Sequence, residues 1–172
     1  MILLLFFTVL NITGDRFALS GDGRVPEQIQ SLVQAELDFA EKASLAGTRS
    51  AFLSVLAEES VVFRPGPVDA RKWFTERPED TGRLVWRPLF ADVASAGDLG
   101  YTTGPWIYHR PDTTSADTVY GHYISIWQRN VSAVTNTSWK LILDVGISHP
   151  QPSIPLSQVT EYEVPSDMYT FR

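Results

Sequence analysis

Apolar positions recur at helical spacing in the first third of the chain and alternate in its second half. Behind Pro26, which suits a first helical position, and Glu27, which favours the positive helix end, Ile29, Leu32, Val33, Leu37 and Ala40 recur at intervals of three and four. Gly47 ends this helix. Thr48 can cap a second, shorter one with Ala51, Phe52, Val55 and Leu56 on one face, ending near Glu59. The short β run Val61 to Arg64 is halted by Pro65-Gly66-Pro67, and Asp69 is a candidate cap for a third helix carrying Trp73 and Phe74 and stopping at Pro78.

From Leu84 to Ala94 the pattern is strand-like, and Pro88 within it implies an edge position or a bulge. A turn at Ser95 to Asp98 leads into LGYTTGPWIYH. The longest alternating stretch runs from Thr118 to Ser148 around a polar loop and predicts an antiparallel hairpin. Closed symmetrically, it sets Tyr123 opposite Asp144, Ser125 opposite Ile142 and Gly121 opposite Gly146 on one face. The other face then carries Tyr120, His122, Ile124 and Ile126 against Leu141, Leu143, Val145 and Ile147. Pairing the preceding strand across Arg110 to Asp117 brings Gly104 near Tyr123 and Trp106 near Gly121, so that large meets small as a bent sheet needs. Helices followed by strands predict an α+β fold. Three N-terminal helices would cover a curved antiparallel sheet of about four strands plus a short one, forming a cone able to enclose a pocket.

A chain of 172 residues has room for one domain with a sizeable core, and its net charge of −6 with scattered basic residues argues against a nucleic-acid partner. The absence of cysteine excludes disulfides and thiolate chemistry. The apolar run from Ile2 to Leu10 is too short to cross a bilayer, so no stable membrane insertion is expected. It suits the core of an export signal, with Ala18-Leu19-Ser20 as the cleavage site, although no Lys or Arg precedes it. An N-terminal strand or buried arm is the competing reading, under which the protein would stay in the cytoplasm. The chain therefore divides into a signal peptide over 1–20, a domain over 21–149 and an extended proline-containing tail over 150–172. Asn11, Asn130 and Asn136 fit the glycosylation acceptor pattern.

The stretches FAEKASLAGTRSAFLSVLAEESVVFRPG, GDLGYTTGPW, YGHYISIWQRN and WKLILDVG resemble the nuclear transport factor two-like superfamily, and its SnoaL-like branch most closely. The resemblance covers roughly Gln28 to His149. It implies the cone-shaped fold shared by ketosteroid isomerase, scytalone dehydratase, polyketide cyclases and kinase association domains, but no particular reaction. In ketosteroid isomerase an Asp base works with a Tyr and a protonated Asp. Tyr123 and Asp144 face each other here, but their spacing does not reproduce that arrangement. The association domains place anion-binding arginines at strand positions matching Trp106 and Ser125, where this chain has none.

Asp144 interrupts an apolar strand. Buried, it is a candidate general base; on the outer face it would be a solvated residue, and a structural hydrogen bond to Tyr123 is a further alternative. Tyr123 and Ser125 are candidate polar donors, and Trp106 a pocket wall. Trp73 is a lid or core residue, Trp127 a core residue, and Arg64 either a carboxylate clamp or a solvated cation. His122 has outer-face parity, while His109 and His149 sit at strand ends, so the three histidines offer no metal-ligand spacing. Neither metal nor organic cofactor is expected. Three functions remain open: a small-molecule pocket for an apolar or carboxylate ligand, a cofactor-independent isomerase, dehydratase or cyclase using Asp144, and an association domain. A homodimer through Ile124, Ile126, Leu141, Leu143 and Val145 is compatible with each.

Overall fold

The computed structural model describes residues 26–111, 118–129 and 138–152. The expected signal peptide, the three glycosylation acceptors and the tail beyond 152 lie outside the described residues.

Helix α1 (Glu27–Ala46) starts behind Pro26 and ends at Gly47, whose φ of 89° suits glycine, and α2 (Thr48–Val55) follows at once. The second helix stops four residues before the expected end. Leu56 enters β1 (Leu56–Phe63), where it is buried opposite Leu141. A strand β2 (Pro67–Asp69) that the sequence did not suggest folds back on β1. Asp69 caps α3 (Ala70–Thr75), accepting from the Lys72 amide at 2.7 Å. Strands β3 (Arg83–Trp86) and β4 (Phe90–Val93), on either side of Pro88, both pair with β5 (Leu99–His109); β6 (Thr118–Gln128) and β7 (Lys140–His149) complete the sheet.

The sheet order is β2-β1-β7-β6-β5-β3, with β4 on β5 beside that path. Seven strands replace the expected four plus a short one. The sheet is also mixed rather than antiparallel, because β1 runs parallel to β7 and covers an edge that the hairpin would otherwise leave open.

The β5–β6 pairing is as predicted, with Gly104 opposite Tyr123 and Trp106 opposite Gly121. The hairpin register is not. Ser125 pairs with Asp144, Tyr123 with Gly146 and Gly121 with Ser148, a slip of two residues that preserves which face each side chain takes. This register places Tyr123 between Gly104 and Gly146 across the sheet and gives Asp144 a hydroxyl neighbour. Beyond it, a bulge at Ile142 brings Leu141 opposite Trp127 and turns it inward, where it is fully buried. Leu141 therefore leaves the apolar outer set expected for a dimer.

The helices cover the face carrying Trp127, Ser125, Tyr123 and Asp144, and Phe39 stands at the centre of the core. Its ring meets Phe52 and Trp86 edge-on at 4.8 Å and Trp127 at 6.0 Å, while Phe52 stacks on Phe74 at 4.3 Å. The bulge predicts opposite outcomes for two aliphatic residues of one strand. Leu141→Ala should cost about 2–5 kcal/mol in denaturant unfolding, whereas Ile147→Ala, at an outer position 63% exposed, should stay within about 0.5 kcal/mol of wild type. Equal losses would contradict the assignment of faces.

Candidate functional site

The inner face of the sheet forms the floor of the site as a series of cross-strand rows. Gly100, Trp127 and Leu141 lie deepest, then Thr102, Ser125 and Asp144, then Gly104, Tyr123 and Gly146, and finally Trp106, Gly121 and Ser148. Glycines beside the bulky residues leave them room. A Cβ on Gly121 would fall 2.1 Å from Trp106 Cζ2, so the indole lies directly across that strand, and its N–H donates to the His122 carbonyl at 3.1 Å. The result is a cavity of about 250 Å³ lined by aromatic and aliphatic side chains, Trp86, Trp106, Phe39 and Phe52 among them.

Its wall also carries Arg64 at the end of β1, Tyr108 on β5, Tyr123 on β6 and Asp144 on β7. Asp144 is 7% exposed. It accepts from the Ser125 hydroxyl at 3.1 Å, and Arg64 Nη2 stands 3.7 Å from its other oxygen. Burial raises its pKa, and the Arg64 guanidinium and the Ser125 hydroxyl only partly offset that rise. The Tyr123 hydroxyl is buried and has no hydrogen-bond partner among the described residues. Burial and the carboxyl of Glu36 push its pKa up, so it stays protonated as a potential donor.

Four of the six site residues read from the sequence therefore meet in one cavity: Arg64, Trp106, Tyr123 and Asp144. Ser125, 1% exposed, lies beneath them and orients Asp144, taking the donor role expected of Tyr123. Trp73 lines a separate chamber beside the cavity. His122 and His149, read as unconnected, meet at 2.9 Å on the outer side of the hairpin. Burial and the His149 ring hold His122 below the ordinary imidazole range. No group of three or more metal-ligating side chains converges among the described residues.

Sequence reasoning missed Glu36. Its side chain is fully buried under α1, where one carboxyl oxygen accepts from Trp86 Nε1 at 2.6 Å and the other from Thr102 Oγ1 at 2.5 Å and Trp127 Nε1 at 3.0 Å. The signal was there: Ile29, Leu32, Val33, Phe39 and Ala43 make one buried stripe, and position 36 falls on it. Burial raises the Glu36 pKa from 4.5 to about 7 despite three donors, and the nearby Asp144 adds to the rise.

No family model matches the chain, and no curated protein matches it by sequence. Solved structures do match, and they show its fold. An NTF-2 like protein of unknown function from Shewanella oneidensis is similar at 16% identity and a TM-score of 0.50, over 68% of this chain and 96% of that one. A protein of unknown function with a cystatin-like fold from Nostoc punctiforme gives 14% and 0.51 over 80% and 98%. A ketosteroid isomerase-like protein from Erwinia carotovora atroseptica gives 10% and 0.50 over 73% and 98%. The fold is nuclear transport factor two-like, as the sequence motifs implied. At these identities the likeness is one of fold alone.

The Glu36 carboxyl predicts a pH dependence of stability. Its folded pKa lies above its unfolded value, so the native state binds the extra proton between pH 4.5 and about 7. Stability is then greatest below pH 4.5 as far as this group is concerned and falls by roughly 3 kcal/mol as pH rises through 7. Asp144 contributes in the same direction. Thermal melts from pH 8 to pH 5 should show the rise on acidification, and Glu36→Gln should remove most of it. A flat profile in wild type would contradict the buried, uncompensated carboxyl.

Proposed function

We propose that this protein binds a small, largely apolar ligand in the aromatic cavity beneath the helices, where Tyr123 and Asp144 are placed to address a polar group on it. The observation that carries this reading is the Tyr123 hydroxyl. A buried, unpartnered hydroxyl costs about 1–3 kcal/mol, and packing alone would be served as well by phenylalanine at that position. On a wall made largely of aromatic and aliphatic groups, it supplies a directed donor beside Asp144 and Arg64. Cavity walls of this composition with a few convergent polar groups are the usual form of a small-molecule site. A volume near 250 Å³ favours a ligand smaller than a steroid.

The hydroxyl makes a test that separates function from packing. Tyr123→Phe should melt no lower than wild type, because it removes an unpaired polar atom, yet it should weaken the binding of a small aromatic ketone such as acetophenone about tenfold. Ethylbenzene, which lacks the carbonyl, should bind both proteins alike. Melting curves and tryptophan fluorescence titrations provide the two readouts. A variant that loses stability and keeps its affinity would make the hydroxyl a structural group.

A second reading is favoured by Asp144. Its buried carboxyl with a raised pKa, on the same wall as a protonated phenol, suits proton abstraction beside a carbonyl. The carboxylate would take a proton from the α-carbon, and the Tyr123 hydroxyl would donate to the developing enolate oxygen. Exchange of the ketone's α-protons in heavy water, followed by NMR, measures this step directly. Wild type should accelerate exchange and Asp144→Asn should abolish it with binding retained. Failure of the wild-type protein to accelerate exchange would leave a binding protein without this chemistry.

A further inference from the structure

The aromatic cavity has a charged neighbour. Arg64, Leu84 and Tyr108 line both the cavity and a second chamber of about 320 Å³, which Arg49, Trp73, Arg77, Glu79 and Asp80 complete. The two chambers thus lie on either side of shared side chains. One is apolar with an acid and a phenol in its wall, and the other carries three guanidinium groups and two carboxylates.

The two carboxylates are already engaged by neutral donors. Glu79 accepts from the amides of Arg49 at 2.8 Å and Ser50 at 3.4 Å, at the start of α2. Asp80 accepts from the Gly82 amide and the Tyr108 hydroxyl, each at 2.8 Å. The guanidinium groups differ in how far they are used. Arg49 closes the end of α3 through the carbonyls of Phe74 and Thr75, at 2.6 and 3.3 Å. Arg77 lies over Trp73, its central carbon 3.1 Å from the ring centroid. This contact holds the guanidinium against the indole, and its hydrogen bond to the Trp73 carbonyl is a long one, 3.4 Å. Arg64 donates one nitrogen to the Phe63 carbonyl at 2.7 Å and holds the other 3.7 Å from Asp144, too far for a direct hydrogen bond.

We propose that this chamber is a carboxylate subsite, in which Arg77 and Arg64 receive the acid group of a ligand whose apolar or aromatic body occupies the adjoining cavity. The inference rests on the binding reading above and names its ligand class as a small monocarboxylic acid. A single negative charge fits better than a phosphate dianion, because Glu79 and Asp80 remain in the same wall. Engagement of Arg64 by the ligand would also weaken its hold on Asp144, leaving Ser125 as the donor that favours the aspartate charge.

The test uses the full chain and a series of phenyl-terminated carboxylic acids, their primary amides and the parent hydrocarbons, followed by tryptophan fluorescence. Acids should bind at least about tenfold more tightly than matching amides, and the advantage should shrink as salt is raised. Arg77→Gln, a change at an exposed position outside the aromatic cavity, should reduce the preference to threefold or less while the parent hydrocarbons, which offer Arg77 no acceptor, bind as before. Carboxyl NMR should show the Asp144 titration moving upward on binding an acid and staying in place with an amide. Equal binding of acids and amides would overturn the subsite and leave the pocket reading intact, and an undiminished preference in Arg77→Gln would overturn the role of Arg77. Binding by none of the three compound classes would remove the pocket reading and this inference with it.

Discussion

The structure depends on a carboxyl group sealed between its two layers. Glu36 hangs from α1 into the concave face of the sheet and is held by donors from three different strands: Trp86 of β3, Thr102 of β5 and Trp127 of β6. An apolar side chain at this point would let the helix slide or rotate over a greasy surface. Three directed hydrogen bonds fix its rotation and depth together, and losing the Trp86 bond would leave an indole N–H and a carboxyl oxygen without a partner in the interior. The cost is visible in the raised pKa, since burial outweighs all three donors. The cavity inherits this rigidity: Trp86 is both a ligand of Glu36 and a wall of the pocket, so the group that ties helix to sheet also sets the orientation of an indole facing the site.

The second constraint is the fit of aromatic rings to glycines across the sheet. Tyr123 pairs with Gly104 and Gly146, and Trp106 lies over Gly121, where its indole takes the space that a Cβ would have filled. Such pairs let the sheet curve without opening voids. The deepest row is packed, with Trp127 and Leu141 fully buried, and the cavity is lined by Tyr123, Gly146 and Trp106 of the rows beyond it.

These features were unequally legible in the sequence. The first helix, the Asp69 cap, the β5–β6 register and the face shared by Tyr123 and Asp144 followed from local spacing, where period and cap chemistry act within a few residues. The hairpin register did not, because symmetric closure of a polar loop ignores a bulge, and Ile142 has no local feature that marks it as the extra residue. The parallel pairing of β1 with β7 joins segments some eighty residues apart and is set by an edge that needs covering. Glu36 was readable in principle as a break in an apolar stripe. Choosing Leu37 and Ala40 for that stripe hid it, although both are only half-buried in the fold.

The two interior carboxyls illustrate why burial alone does not identify a reactive group. Glu36 and Asp144 are both buried, both have raised pKa values, and they lie close enough for the Asp144 charge to act on Glu36. Yet Glu36 is surrounded by donors that use both of its oxygens, and it does not line the cavity. Asp144 has one hydroxyl donor, a guanidinium at arm's length and a place in the cavity wall. The first arrangement resists a ligand, which would have to displace three partners that hold the core, although the carboxyl itself still takes up a proton near neutral pH. The second permits a ligand, because the Arg64 contact is long and can be exchanged without breaking a strand or a helix. The difference between a structural and a functional carboxyl here lies in how many of its partners are also structural.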